Sequence, residues 1–553
     1  MTWRERRGPR HRHEGAHRRW LAEPLAWHIL QRAIYGIVLS MGLFLAGRFA
    51  LFWFSSTRMP RDFGSHFWIA DLVLFSVLTF VVWHRLLIEV ATWIICSRIE
   101  PPHSVTEPPR GLRVAFVTTF VPGSEPIEML ARTLRSMVAA DYPHDTWVLD
   151  EGNDSQAIEL CRRLGARHFS RHGLAHFNTS GGRFAAKTKG GNHNAWYAAH
   201  GSEYDIVAQV DADFTVCQDF LTRTLGHFRD PRVAFVGTPQ IYGNTDNLIA
   251  RGAAEQTYLF YGPLMRSLSR RRMSLLIGAN HIVRVRALSE IGWYNAHLTE
   301  DLATGKRFHA ARWKSVYVPV PLAIGEGPTT WASYFSQQYR WAFGCLNIFF
   351  TQSPRLNLRM RLSHAAHYFV LEQFYLNGLR MAAAVLLLML YFLFGWKPAD
   401  LQLRELVLLY MPVLAWGQVM TIVLQRFTVR PRQESGFLWA GRIVTIVAIP
   451  IYFLALVGVL CNRRMSFKTT PKGGTTDDQE NTLRVFAPHL MLSGLIIAGM
   501  AIGTELRHTA VVFYLWGSAT SLAMSAVSVG VVGRRTMAAL RGAARRALAA
   551  DNA

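Results

Sequence analysis

The sequence has no closely spaced cysteines: Cys96, Cys161, Cys217, Cys345 and Cys461 are scattered through 553 residues without a CxxC. That excludes a disulfide framework or a zinc knuckle and favours small buried thiols in a reducing compartment. Acidic residues are scarce too, 37 against 60 lysines and arginines, for a net charge of +23. Much of the positive charge flanks apolar runs, as in "RERRGPRHRHEGAHRRW", so it points to membrane topology and no nucleic-acid partner is expected. Long apolar runs are absent from the middle of the chain. After Cys96, nothing until about Tyr368 can cross the roughly 30 Å of bilayer hydrocarbon.

The two ends of the chain are rich in such runs. They are Ala33 to Phe54, Phe67 to Trp83 with a helical extension to Cys96, Met381 to Phe394 reaching back towards Tyr368, and Leu406 to Leu424. Ile443 to Leu460, Val485 to Met500 and Ala510 to Val532 follow. The first is too long and too far from the N-terminus for a cleaved signal and reads as a signal anchor. Arginine and lysine in short flanks mark the cytoplasmic side. This places the N-terminus, the central region and "RFTVRPR" inside. If Ile443 to Leu460 crossed, "RMSFKTTPKGG" and the basic tail "GRRTMAALRGAARR" would both lie outside, against that rule. An interfacial or re-entrant helix, marked by Arg442 and Pro450, is therefore expected there, with six crossings and both ends cytoplasmic in the inner membrane.

The expected divisions are a basic cytoplasmic N-terminus (1–27), two transmembrane helices (28–98), a central α/β domain (110–330) and interfacial amphipathic helices (331–365). Transmembrane helices with the interfacial or re-entrant helix (366–460), a polar loop (462–484), two C-terminal transmembrane helices (485–533) and a basic cytoplasmic tail (534–553) complete the chain.

Within the central region, "RVAFVTTF", "TWVLD", "ARHFS", "YDIVAQVDAD" and "VAFVGTPQIY" alternate with helical stretches. That pattern predicts a mainly parallel sheet covered by helices, with ligand groups beyond the carboxyl ends of the strands. Carboxylates occur there: Asp150 and Glu151 after "TWVL", and Asp211 and Asp213 after "YDIVAQV". Two acids one residue apart share a side of an extended chain and suit a divalent ion bridging a diphosphate, although DxD is also common in solvated turns. "TKGGNHNAW" offers Lys189 and two glycines at a helix start, where a cation and backbone amides could meet an anion. "HLTEDLATG" places Thr299, Glu300 and Asp301 before a helix, a pattern that also fits an N-cap with an acidic first turn. "FSQQYRWAFG" aligns Gln337, Arg340 and Trp341 on one helical face, which could hold a diphosphate and stack on a sugar or simply be amphipathic.

Taken in order, Asp150, the DxD, "TED" at 299–301 and "QxxRW" at 337–341 resemble the processive family-2 glycosyltransferases, the group of cellulose, curdlan, chitin and hyaluronan synthases. "TKGGN" and "GTPQIYGN" support the resemblance. It implies a Rossmann-like GT-A domain, cytosolic and inserted in a multi-span helical membrane domain. It also implies a UDP-sugar donor, a magnesium or manganese ion and inverting transfer to a growing polysaccharide. Carried over by position, Asp150 contacts the uridine and Asp213 binds the metal, with Asp211 beside both. Lys189, Gln337 and Arg340 hold the diphosphate, Asp301 with Glu300 forms the catalytic pair in which Asp301 is the base, and Trp341 carries the acceptor sugar. UDP-glucose and a β-1,4 or β-1,3 glucan lead the expectations. A UDP-N-acetylglucosamine polymer or a lipid-linked single transfer is the alternative, and accessory export proteins or self-association stay open alongside lipid as partners.

Phe467, Thr469, Thr470 and Lys472 resemble the "FxVTxK" gating loop of bacterial cellulose synthases, with Thr469 in place of valine. Thr470 and Lys472 would then reach the nucleotide from the cytoplasmic side, as a lid that excludes water. Two departures stand out. "DEGND" replaces the usual "DDG", and no β-barrel sensor for cyclic-di-GMP is expected after the last apolar run, so built-in activation by that nucleotide is not expected either.

Overall fold

The computed structural model describes residues 25–55, 68–99, 107–463 and 482–550. Its central region is built on a seven-stranded sheet. The strands are β1 (Val114–Phe120), β2 (Asp145–Asp150), β3 (Arg167–Phe169), β4 (Ile206–Asp211), β6 (Val233–Gly237), β8 (Asn280–Arg284) and β9 (Lys314–Tyr317). Their order is β3-β2-β1-β4-β8-β6-β9. Only β8 runs antiparallel to its neighbours. β1 and β4 are apolar and buried on both faces, as parallel strands sandwiched between helices must be. A mixed sheet of this order, wrapped by helices, is the GT-A fold.

"VAFVGTPQIY" is split rather than continuous. β6 ends at Gly237, and the chain then enters a separate three-stranded sheet made of β5 (Thr215–Val216), β7 (Ile241–Tyr242) and β10 (Ala323–Gly325), in the order β5-β10-β7. This small sheet carries the chain from beside the DxD to the start of the Trp331–Thr351 helix. Close packing at Gly325 fixes the junction, where a Cβ would lie 2.3 Å from the Phe214 ring.

Each apolar run is helical, and among the described residues seven helices are long and apolar enough to cross a membrane. The protein is therefore a multi-pass membrane protein. Leu25–Trp53 packs against Met411–Leu424, with the Trp416 indole donating to the Val38 carbonyl at 2.8 Å. Trp68–Cys96 packs on Asn377–Phe394, and Ala487–Glu505 on Val511–Ala550. Trp439–Leu460 behaves differently. It continues unbroken through Pro450, and its main neighbours include Leu248–Leu259 and Trp331–Thr351 of the central region. Glycines permit these approaches: a Cβ on Gly252 would lie 2.5 Å from Val444, and one on Gly441 2.7 Å from Glu255.

All five cysteines are free thiols. Cys96 and Cys161 are buried as expected, whereas Cys461, just past the end of an apolar helix, is exposed.

Candidate functional site

β2, β1 and β4 end level with one another. Asp150 pairs with Phe120 and Asp211 with Thr119, so both acids stand at the same edge of the sheet, flanking β1. Their side chains do different things.

Asp211 faces Lys189. The Lys189 ammonium donates to Asp211 Oδ1 at 2.5 Å and to the Gly278 carbonyl at 2.7 Å, and lies 3.8 Å from Glu300 Oε1. Lys189 opens the Lys189–His200 helix, which Thr188 caps by accepting from the Gly191 amide. The glycines of "TKGG" serve packing. A Cβ on Gly190 would lie 2.8 Å from the Asn295 carbonyl, and one on Gly191 2.2 Å from that of Ala185.

Gly278, which carries no motif, is the hinge of the cluster. Its carbonyl accepts a hydrogen bond from the Lys189 ammonium while its amide donates to Asp301 Oδ2 at 2.9 Å. The other Asp301 oxygen accepts from the Leu302 amide at 2.8 Å. A side chain at 278 would collide with that carboxylate, since a Cβ would lie 2.8 Å from Oδ2.

Glu300 and Asp301 open the Glu300–Ala310 helix, but Thr299 does not cap it through its side chain. Thr299 instead packs on Gly344 of the Trp331–Thr351 helix, where a Cβ would lie 2.4 Å from the Thr299 methyl. His297 Nε2 meets Asn347 Oδ1 at 3.0 Å, and the Asn295 amide donates to Gln352 at 2.9 Å. Three contacts thus seat the TED loop on the helix that carries Gln337, Arg340 and Trp341.

These groups perturb one another. Burial works against the Lys189 charge, yet Asp211, Glu300 and Asp301 outweigh it and raise its pKa. Burial, opposed by Lys189 and reinforced by Asp301, pushes Glu300 up to about 7. Burial also raises Asp301, against the pull of the Leu302 and Gly278 amides and of Lys189. Arg340 is lowered by burial despite the fields of Glu300, Asp211 and Asp301, which places it within electrostatic reach of all three. Perturbed carboxylates beside buried cations at a sheet edge are the pattern expected of a reaction centre.

Gln337 Nε2 donates to the Tyr242 hydroxyl at 3.4 Å, and its buried Oε1 has no hydrogen-bond partner among the described residues. Tyr242, on β7, is a site neighbour that sequence reasoning missed. Buried and within the fields of Asp213, Arg340 and Asp211, it has a hydroxyl raised by desolvation. Trp341 is half-buried on the same helix.

Asp150 does not join this cluster. Its carboxylate is fully enclosed, accepting from the Gly152 amide at 2.9 Å and the Asp154 amide at 2.6 Å, with His168 Nε2 at 3.1 Å. Beside it, Glu151 binds the wholly buried Arg171 through both carboxylate oxygens, at 2.7 and 3.0 Å. Arg171 also donates to the carbonyls of Phe177, Ala185 and Thr188. The second acid of "DEGND" therefore organises segment 171–188, which leads into Lys189.

For a divalent ion, Asp211 and Asp213 offer carboxylates, with Asp213 Oδ2 accepting from the Glu326 amide at 3.3 Å. No group of three or more histidine, cysteine or acidic residues forms a metal cage among the described residues. Two carboxylates at a partly open edge fit an ion that takes its remaining ligands from diphosphate oxygens and water. Thr470 and Lys472, with the rest of the "FxVTxK"-like stretch, lie outside the described residues.

The family model for glycosyl transferase family group 2 matches residues 206–424, a segment that runs from β4 through the TED and QxxRW helices. That segment is similar to family-2 glycosyltransferase domains. Curated proteins similar to this chain include the UDP-forming cellulose synthase catalytic subunit of Pseudomonas fluorescens (strain SBW25), 24% identical over 87% of this chain and 62% of the relative. Cellulose synthase 1 catalytic subunit of Komagataeibacter xylinus is 23% identical over 70% of this chain and 50% of its own length. That of Xanthomonas axonopodis pv. citri (strain 306) is 25% identical over 70% and 52%. The chain thus spans between half and about three-fifths of the length of these relatives. Among solved structures, a mannosyltransferase of Pyrobaculum calidifontis in complex with GDP-Man and Mn2+ aligns over 71% of this chain and 99% of its own, at 13% identity and a TM-score of 0.46.

Proposed function

We propose that this chain is a processive, inverting glycosyltransferase that polymerises a β-glucan from UDP-glucose and passes it across the membrane between its own apolar helices. The observation that carries this reading is the meeting, at one sheet edge, of Asp211, Lys189, the Glu300–Asp301 pair and the QxxRW helix.

Inverting transfer needs a base on the acceptor hydroxyl and stabilisation of charge on the departing diphosphate. Asp301 is suited to the first task, because two backbone amides aim its carboxylate and burial raises its basicity. Lys189 and Arg340 supply fixed positive charge for the second. Asp211 and Asp213 would hold magnesium or manganese, which when bound supplies Lewis-acid stabilisation of the diphosphate. Gln337 Oε1, a buried acceptor, is suited to a substrate hydroxyl. Trp341 provides an aromatic face for the acceptor sugar. No second carboxylate is needed to protonate the leaving group, unlike glycoside hydrolysis. Asp150 would act on the uridine through the loop it organises, and Thr470 and Lys472 would close over the nucleotide.

The topology reading puts the catalytic domain and both termini on the cytoplasmic side of the inner membrane, with six crossings. In support, half of the Trp439–Leu460 apolar window is buried in protein, against 17% for Leu403–Phe427. A helix seated on Leu248–Leu259 and Trp331–Thr351 suits an interfacial position.

The test is polymer synthesis by the full chain in lipid vesicles from radiolabelled UDP-glucose, followed by linkage-specific glucanase digestion. Expected is a metal-dependent polymer, lost on chelation and restored by magnesium or manganese. Single-sugar glycolipids would point to a non-processive lipid-linked transferase, and incorporation from UDP-N-acetylglucosamine alone to a chitin- or hyaluronan-like synthase. Either result would overturn the reading.

A further inference from the structure

Where the apolar helix ending at Phe427 turns towards Trp439, the structure holds a cavity of ≈580 Å³ remote in sequence from the motifs. Its wall includes Arg426, Arg442, Gln418, Gln425 and Phe437, and no wall residue among the described residues is acidic. The nearest acid in the turn, Glu434, is fully buried and bound to Arg430 at 2.8 Å, so it does not neutralise the cavity.

The wall is built rather than accidental. The buried Gln425 amide donates to the Gly436 carbonyl at 2.7 Å and accepts from its backbone N–H at 3.0 Å, clamping a turn whose φ of 115° needs glycine. Arg442 is held by the Phe437 carbonyl at 2.7 Å and Gln418 Oε1 at 2.5 Å, and lies 4.4 Å over the Phe437 ring. Arg426 reaches Gln31 of the first apolar helix at 3.3 Å. Ile422 and Phe437 of the wall, and Trp439 with its ring 4.2 Å from that of Phe437, are 60%, 50% and 65% exposed. Arg442, half-buried behind an aromatic and aliphatic rim, and the exposed Arg426 beside it at the end of an apolar helix match the boundary between headgroups and acyl chains.

We propose that this cavity binds the phosphodiester headgroup of an anionic membrane phospholipid, its acyl chains lying along Ile422 and Trp439. Charge complementarity excludes the chain's own N-terminal segment as occupant, since residues 1–20 are strongly basic. The apolar rim favours a lipid over free phosphate. The proposal rests on this end of the helices lying in a bilayer interface and is independent of sugar transfer.

The test is native mass spectrometry of the full chain in detergent, titrated with phosphatidylglycerol or phosphatidylcholine, with inorganic phosphate as competitor. Expected is retention of phosphatidylglycerol at concentrations on the order of tenfold lower than phosphatidylcholine. Arg426→Gln with Arg442→Gln should abolish the preference, and the paired lysine substitutions should keep it. A thermal melt checks folding, and the exposed Arg426→Gln alone, expected to lose part of the preference, serves if the double variant does not fold. A preference unchanged in a folded glutamine variant would overturn the proposal. Displacement of the lipid by equimolar phosphate would overturn the lipid assignment. Because no sugar nucleotide is present, either failure is distinguishable from a failure of the glycosyltransferase reading.

Discussion

Asp150 and Asp211 end neighbouring strands on either side of β1, yet one is consumed by its own loop and the other is held out to a lysine. The difference lies in the path the backbone takes beyond each strand. After Asp150 the chain turns sharply enough to bring the amides of residues 152 and 154 back onto the carboxylate, which saturates it. After Asp211 the chain passes into the small sheet, and the carboxylate, about a third exposed, is left to a cation from another element. The Asp150 side thus builds architecture, and the Asp211 side concentrates charge.

That contrast can be broken experimentally. The largest effect is expected on the charged side: Asp301→Asn should lower polymer synthesis by roughly 10²–10⁴-fold, the range for loss of a general base, with little change in melting temperature. Lys189→Met comes next, lowering kcat/KM by on the order of 10²-fold through loss of positive charge near the diphosphate. It also has a pH signature. Asp301 must be ionised to accept a proton, and Glu300 beside it is pushed up to about 7, so the rate should rise with pH through that region. Lys189 holds both carboxyls down, so its loss should move this acid limb to higher pH. An unmoved limb would separate the lysine from the carboxylate pair.

Smaller effects test the supports. Gly344→Ala forces a methyl into Thr299 and should cost about 1–3 kcal/mol of overpacking strain, partly relieved by shifting the QxxRW helix from the TED loop. Activity should fall more than stability does. On the architectural side, Asp150→Asn should cost about 1–3 kcal/mol of stability by unbalancing a buried, saturated acceptor, and should act on the donor KM rather than on kcat. If Asp150→Asn instead lowers kcat as deeply as Asp301→Asn, the contrast between the two strand ends is wrong.

Much of this arrangement is legible in order but not in space. Alternating apolar strands and the acids that end them place Asp150, Asp211 and Asp213 at the ligand edge, because strand periodicity and sheet polarity are local and arise from the residues themselves. The roles of Gly278, Tyr242, Gly344 and Arg171 are not legible. Each depends on a neighbour outside its own element: Gly278 on Lys189 and Asp301, Tyr242 on Gln337, Gly344 on Thr299, and Arg171 on Glu151 and four carbonyls. The glycines after Lys189 mislead for the same reason, since a glycine needed for close packing has the same letter as one needed for anion binding.

By itself, then, the sequence determined the apolar helices, the α/β centre and the chemical types available at the strand ends, since hydropathy and periodicity act over one element at a time. Only the tertiary structure decided which carboxylate is satisfied and which is exposed to a cation, and which glycine supports which acid. It also decided that the Trp439–Leu460 helix packs on Leu248–Leu259 and Trp331–Thr351. Those outcomes are set by desolvation and contact between distant segments, and such terms exist only once the segments have met.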